Sequence, residues 1–156
     1  MKSHWFIRSF AVMAAIMMVT LVGCGVMKKA QEKKLSIACM NTLKQVGLAM
    51  AMHASNNADH FPLNENWIKT LADSNFIDAK TSVCPACKNT YTYLGNGQKT
   101  ADIKDPSFAM LIICPDEHEG KKNVLFADGH VASLNPAEVD EAVKAAKDGA
   151  LPVLKK

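Results

Sequence analysis

Two pairs of candidate metal ligands stand close together in the chain. Cys84 and Cys87 are separated by two residues, and Cys114 and His118 by three. These are the residue types and spacings of a Cys₃His zinc site, in which three thiolates and one imidazole surround the ion tetrahedrally. The sequence therefore suggests zinc as a cofactor, with Cys84, Cys87, Cys114 and His118 as its ligands.

The same cysteines allow two other kinds of chemistry. With Cys39 they make four thiols, which an oxidising compartment could join into disulfides in any of three pairings. Cys84 and Cys87 also have the spacing of a thiol oxidoreductase, although that chemistry needs a helix starting at the first cysteine. A predicted strand follows Cys87 instead. Zinc, disulfides and thiol exchange stay open as alternatives.

The other polar residues favour a protein without catalytic activity. The chain has no Ser-His-Asp order, no phosphate-binding P-loop and no G-x-G-x-x-G turn. His118, Asp128 and His130 could come together near a hairpin, but three residues of this kind more often shape and hydrogen-bond a turn. We therefore expect a non-enzymatic protein.

The first 23 residues predict a signal peptide and a lipid anchor. Lys2 and Arg8 precede an uncharged apolar run over residues 9–22, which has the length of a signal-peptide core. The run leads into Leu-Val-Gly-Cys at residues 21–24, similar to the lipobox of bacterial lipoproteins. Cys24 would then carry the acyl chains (palmitate or similar) that bind membrane lipid. The predicted location is the cell envelope, facing the periplasm or exterior, while an uncleaved helix over residues 9–27 is the alternative.

Charge argues against a nucleic-acid partner. Two of the 18 basic side chains lie in the leader, which leaves 16 against 15 acidic side chains in the mature chain. Nucleic-acid binders usually carry a basic stripe with aromatic residues interleaved. Lysines cluster here only over residues 28–34, so we expect no nucleic-acid binding.

Hydrophobic spacing predicts a long helix over residues 25–56. Its polar start, residues 24–34, would be a stalk behind the lipidated cysteine, and the folded domain would cover residues 35–148. Spacings of three and four residues place one apolar face on the helix. This face consists of Leu35, Cys39, Leu43, Val46, Met50 and His53.

The remaining pattern predicts an α+β fold in which the helix packs on a small antiparallel sheet. Short helices are expected over residues 65–74 and 136–148, with a C-terminal tail over 149–156. Strands are expected over residues 90–94 and 108–113, and a hairpin over 123–133. Asp128-Gly129 would form its turn, with positive φ at both residues.

Three sequence motifs resemble the pseudopilin-like envelope proteins related to protein G of type II secretion. Residues 39–50 (CMNTLKQVGLAM) are similar to the C-x-N-N-L-K-Q-I-G-x-A helix of that family, and residues 57–62 to its D/N-x-x-x-F-P helix exit. His118, nine residues, then Asp128-Gly129 matches its prepilin-type processing-associated H-x(9)-D-G motif. The resemblance spans roughly residues 35–134. It implies a pilin-like fold and a structural or secretion-associated role, with envelope or secretion-system proteins as partners.

The chain departs from that family at its N-terminus. The prepilin leader, the Gly-Phe-Thr-Leu-Ile-Glu cleavage site and the long apolar assembly helix have no counterpart. Cys24 stands close to where the assembly helix would be. The sequence therefore predicts a pilin-like globular half held by a lipid anchor, as a tethered monomer and not as a filament subunit.

Overall fold

The computed structural model describes the backbone of residues 3–146 and 149–155, and side chains from Met27 onward within those ranges. Contacts divide the chain into two compact units, residues 1–34 and residues 35–156. The side chain of the lipidation candidate Cys24 lies outside the described residues, as do those of the apolar run before it. Among the described residues, none of the helices combines the length and apolarity needed to span a membrane.

Helix α1 runs from Ser3 to Asn56. It begins earlier than the predicted residue 25, because the leader is rich in alanine and methionine, which favour helix strongly. It ends where predicted. Ala58 and Asp59 take positive φ values of 52° and 64°, and the Asp59 N–H donates to the Ala54 carbonyl oxygen at 2.9 Å. This left-handed exit stops the helix.

Four strands form one antiparallel sheet in the order β1-β2-β3-β4. Their bounds are Thr92–Tyr93, Met110–Ile113, Lys122–Phe126 and Val131–Leu134. Two shorter α-helices complete the domain: α2 (Trp67–Asp73) and α3 (Pro136–Ala145). The predicted α+β fold, with a long N-terminal helix on a small antiparallel sheet, is confirmed.

Helices cover both faces of the sheet. Leu125 points to the α1 face, where it joins the core cluster that contains Leu43 and Val46. Its neighbours Val124 and Phe126 point the other way and pack with Val139 of α3. Alternate residues of a strand face opposite sides, and both sides are buried here, so β2 is apolar throughout and β3 is apolar over Val124, Leu125 and Phe126.

The Asp128-Gly129 turn differs from its prediction in one respect. Gly129 has a φ of +89°, but Asp128 is not in the left-handed region. The Gly129 N–H donates to the Phe126 carbonyl oxygen at 3.0 Å, and the Phe126 N–H donates to His130 at 2.9 Å. The hairpin therefore has a three-residue loop with one left-handed glycine, and the expectation of positive φ at Asp128 was wrong.

The C-terminal residues predicted to be a tail contact the sheet. Val153 pairs with Ala109, the Met110 N–H donates to the Pro152 carbonyl oxygen at 2.8 Å, and the Leu154 N–H donates to Phe108 at 3.0 Å. Helix α3 ends at Ala145, before the predicted residue 148; residues 147 and 148 lie outside the described residues. The chain thus returns to the start of β2 after α3.

Candidate metal centre

One buried cluster brings together three cysteines and a histidine from distant parts of the chain. Cys39 lies on α1, Cys84 in the loop before β1, Cys114 just after β2, and His118 in the turn between β2 and β3. Their ligand atoms all lie within 4.8 Å of one another. Three of the residues are fully buried and His118 is 9% exposed. These four side chains could hold a metal ion.

The measured distances fit a tetrahedral ion. His118 Nε2 lies 3.4 Å from the Cys84 Sγ and 3.2 Å from the Cys114 Sγ, and the Cys87 Sγ lies 3.8 Å from the Cys114 Sγ. With Zn–S bonds of about 2.3 Å and Zn–N bonds of about 2.1 Å, tetrahedral zinc separates its donor atoms by about 3.5–3.8 Å. Each of these three separations is therefore within a few tenths of an ångström of the value expected for two ligands of one ion.

The four candidate ligands in the structure and the four predicted from the sequence have Cys84, Cys114 and His118 in common. The structure adds Cys39, which the sequence predicts to lie on the apolar face of the helix and to be available for a disulfide, but not to bind the metal. Cys87 lies at the edge of the cluster, half-buried. Four donors therefore lie within 4.8 Å of one another, and Cys87 is a fifth donor beside them, in contact with Cys114.

The turn that begins at Cys84 brings the sulfurs of Cys84 and Cys87 to the cluster. The Cys84 N–H donates to the Asn89 carbonyl oxygen at 2.9 Å, and the Lys88 N–H donates to the Cys84 carbonyl oxygen at 2.9 Å. Lys88 closes the turn with a φ of +65°. The backbone N–H of Asn89 faces the Cys87 sulfur and favours its thiolate form. A backbone amide that donates to a cysteine sulfur is the outer support that metal-bound thiolates need.

The second pair of donors has a similar turn. The backbone N–H of Asp116 faces the Cys114 sulfur and favours its thiolate form. His118 and Lys121 exchange backbone hydrogen bonds at 2.7 and 3.1 Å across Glu119 and Gly120, which both have positive φ. This tight turn directs the His118 ring back toward the end of the sheet.

Hydrogen bonds and burial separate the pKa values of the thiols. The Cys114 thiol donates to Cys39, and this bond lowers the pKa of Cys39 to about 5, while burial opposes the shift. The same bond, together with burial, raises the pKa of Cys114. Burial is also the main cause that raises the pKa of Cys87 to about 11. Zinc binds the thiolate form, so a bound ion would favour deprotonation of every ligand sulfur.

Disulfide bonds and thiol exchange, the other two interpretations of the cysteines, have less geometric support than a metal site. All four described cysteines are free thiols. The 3.8 Å between the sulfurs of Cys87 and Cys114 is far above the roughly 2.05 Å of a disulfide bond. Cys84 follows a 3₁₀ turn over Ala79–Ser82, and no helix of the described chain begins at Cys84 or Cys87. The helix dipole of a thioredoxin-like cysteine is therefore missing here.

The three residues of the H-x(9)-D-G motif do not form one site. His118 precedes β3, whereas Asp128 and Gly129 follow it, so they lie at opposite ends of that strand. The Asp128 carboxylate accepts the His130 backbone N–H at 3.1 Å and lies 2.6 Å from His130 Nδ1. The His130 ring stacks on Phe126 at 4.2 Å. Asp128 therefore orders the β3–β4 turn, and His118 belongs to the cysteine cluster.

Comparisons of the chain with protein-family models, with curated proteins and with solved structures find no match. The chemistry of the cluster therefore has to be argued from its own residues.

Proposed function

We propose that this protein is a membrane-tethered, non-enzymatic envelope lipoprotein whose pseudopilin-like domain binds one structural zinc ion. The observation behind the metal is the cluster of Cys39, Cys84, Cys114 and His118, with all ligand atoms within 4.8 Å. Sulfur and imidazole donors favour zinc over calcium or magnesium, which prefer oxygen.

Burial supports a structural role for the ion. A catalytic zinc site keeps one position open for water or substrate, whereas a structural site has four protein ligands. Here four protein donors lie within 4.8 Å of one another, and three of them are fully inaccessible to solvent. Cys87 adds a fifth donor beside Cys114. The ion would join α1 to the ends of β1 and β2, so its binding free energy would add to the stability of the domain.

The membrane anchor rests on the sequence. The apolar run over residues 9–22 and the lipobox-like residues 21–24 favour cleavage before Cys24 and acylation of its thiol. Four lysines over residues 28–34 would add electrostatic attraction to anionic headgroups. The partners would be membrane lipid and, by resemblance to pseudopilins, other envelope or secretion-system proteins.

Metal analysis of full-length protein, purified in detergent without chelator, tests the zinc site. We expect one zinc per chain in the wild type and none in a Cys114→Ser or His118→Ala variant. His130→Ala is the matched control, because His130 is exposed and pairs only with Asp128 and Phe126 among the contacts described above; it should keep the ion. A wild type that binds no zinc when zinc is supplied would overturn the proposal.

Mass spectrometry of the mature N-terminus tests the anchor. We expect a first residue at Cys24, modified by acyl chains. An unmodified peptide that contains residues 10–23, recovered from the membrane-bound protein, would contradict the lipoprotein assignment without affecting the zinc site.

A further inference from the structure

The cluster contains one donor more than a tetrahedral ion can use. The His118 Nε2 lies within hydrogen-bond distance of the sulfurs of both Cys84 and Cys114, and these three residues form the common part of the cluster. Two different cysteines compete for the fourth position, Cys39 from α1 and Cys87 from the loop. If the proposed zinc site is correct, the excess donor needs a role.

Cys39 offers a closed fourth position. Its side chain is fully buried on α1, within the same core cluster as Leu43 and Val46. The Tyr91 hydroxyl lies 3.6 Å from its sulfur. A thiolate held by a packed helix and a tyrosine hydroxyl can hold an ion away from water.

Cys87 offers an accessible fourth position. It is half-buried, and its sulfur lies 3.8 Å from that of Cys114, the separation expected for two sulfurs on one zinc. A cavity of about 440 Å³ lies beside its turn and is lined by Thr42, Cys84 and Lys88, among others. Cys87 does not line this cavity, so its own partial exposure is what lets solvent reach this side of the cluster.

We propose that Cys39 and Cys87 are alternative fourth ligands of one zinc ion, with Cys87 used for loading and release and Cys39 used for retention. In the exchange, the bond from zinc to the Cys87 sulfur breaks and a bond to the Cys39 sulfur forms. The proton of the Cys39 thiol passes to the Cys87 thiolate. No electrons are transferred, and the charge of the cluster is unchanged.

Ligand exchange of this kind gives the ion a route out of a buried site. An external soft ligand, such as a thiolate of a metal carrier, would meet the ion while Cys87 binds it. The retained form, with Cys39, leaves Cys87 as a free thiol near the surface. The site would thus exchange zinc with carriers and still keep it for long periods.

Zinc affinity and release of three full-length variants test this inference: Cys39→Ser, Cys87→Ser and the double variant. Each single variant keeps Cys84, Cys114 and His118 together with one of the two alternative fourth ligands, so we expect one zinc per chain with affinity reduced by about tenfold. The double variant keeps three donors and should lose at least about a thousandfold. Release to excess chelator should be faster than wild type in Cys39→Ser and slower in Cys87→Ser.

The outcomes separate the two proposals. A wild type without zinc contradicts the proposed function itself. A wild type that binds zinc, with one single variant as weak as the double and the other equal to wild type, shows one fixed ligand set and overturns the exchange. Equal release rates in all zinc-binding forms would overturn it as well.

Alkylation of the zinc-loaded wild type keeps the inference testable if the double variant does not fold. Iodoacetamide should label Cys87 first while the ion is retained, because Cys39 would be the bound fourth ligand. Peptide mass spectrometry separates residues 35–44, which contain Cys39, from residues 81–88, which contain Cys84 and Cys87. Labelling of Cys39 with Cys87 protected would contradict the proposed retained form.

Discussion

The Tyr91 hydroxyl donates to the backbone carbonyl oxygen of Cys39 at 3.2 Å and lies 3.6 Å from the sulfur of the same residue. Tyr91 is 2% exposed and stands just before β1, so this contact joins the sheet side of the domain to α1 at the cysteine–histidine cluster. Burial and the bond to Cys39 raise the pKa of Tyr91, so its hydroxyl stays protonated and acts as a donor.

Tyr91→Phe should therefore weaken both stability and metal binding. Loss of one buried hydrogen bond is expected to reduce the free energy of unfolding by about 1 kcal/mol. Loss of a group that supports a ligand sulfur should reduce zinc affinity by about tenfold. Tyr93→Phe is the control, since the Tyr93 hydroxyl donates to the Pro62 carbonyl oxygen at 2.8 Å, away from the cluster. It should lose similar stability in denaturant titration but keep wild-type zinc affinity.

Chelation should lower the thermal stability of the wild type. An ion that binds only the folded state adds about 2.7 kcal/mol when its free concentration is a hundredfold above Kd. Differential scanning calorimetry with and without chelator should show this loss for the wild type and for His130→Ala. In Cys114→Ser the two melting curves should coincide. A chelator-dependent shift of equal size in that variant would point to binding elsewhere.

Gly47 provides a stability test of the contact between α1 and β3. A Cβ atom at this position would lie 2.8 Å from the Leu125 Cδ1, and both residues are buried. Alanine favours the helix by about 1 kcal/mol, but crowding in a packed core costs about 1–3 kcal/mol. Gly47→Ala should therefore destabilise the wild type, by about 1 kcal/mol in chemical denaturation.

The sign of that effect should reverse once Leu125 is shortened. In a Leu125→Ala background the crowding is gone, so Gly47→Ala should stabilise the protein by up to about 1 kcal/mol through helix propensity alone. Equal destabilisation in both backgrounds would show that Leu125 is not the cause.

His53 should make the folded state sensitive to moderate acid. The residue is 8% exposed, and burial lowers its pKa below the ordinary value near 6.5. Below about pH 6.5 the unfolded chain takes up a proton that the folded chain still rejects, so stability falls as pH falls toward the folded pKa. Above pH 6.5 both states are neutral at this residue and it contributes no slope.

Unfolding free energies at pH 7.5 and 5.5 check the effect of His53. The loss between these values should be smaller in His53→Gln than in the wild type. His60→Gln replaces an exposed histidine on the loop after α1 and should keep the wild-type loss. If the two variants respond alike, burial of His53 is not the source of the pH dependence.

Local sequence patterns predicted the helices and strands, whereas the full membership of the cysteine–histidine cluster could be known only from the three-dimensional fold. The end of α1 at Asn56 and the hairpin at Asp128-Gly129 follow from spacing and turn residues within a few positions. Cys39 is separated from Cys84 by 45 positions in the sequence. Its spacing from Leu43 identified a core position, and nothing local distinguishes a core cysteine from a ligand. Only the packing of α1 on the sheet brings the two sulfurs together.

The strand predicted over residues 90–94 shows the same limit. The structure keeps only Thr92–Tyr93 as β1, because Thr90 pairs with Val83 and the Tyr91 N–H donates to the Ser82 carbonyl oxygen at 2.9 Å. The β-forming residues indicate extended backbone correctly, but the pairing partner of each half of the segment depends on the loop before it. The sequence held one signal for Cys39: it is the fourth cysteine of the domain, beside three cysteines and a histidine that the sequence already marks as candidate ligands.

The return of the chain to β2 has a consequence for how copies of the domain meet. On the side of β2 that faces away from β3, β1 pairs with only two residues, at the end of β2. The segment around Val153 occupies the amide and carbonyl groups on the same side at the start of β2. Unpaired groups along an apolar strand are a template for a strand of another molecule. Tethering many copies to one membrane would raise their local concentration and favour such pairing. The C-terminal segment closes that side of the sheet, so neighbouring domains can crowd together without aggregating through it.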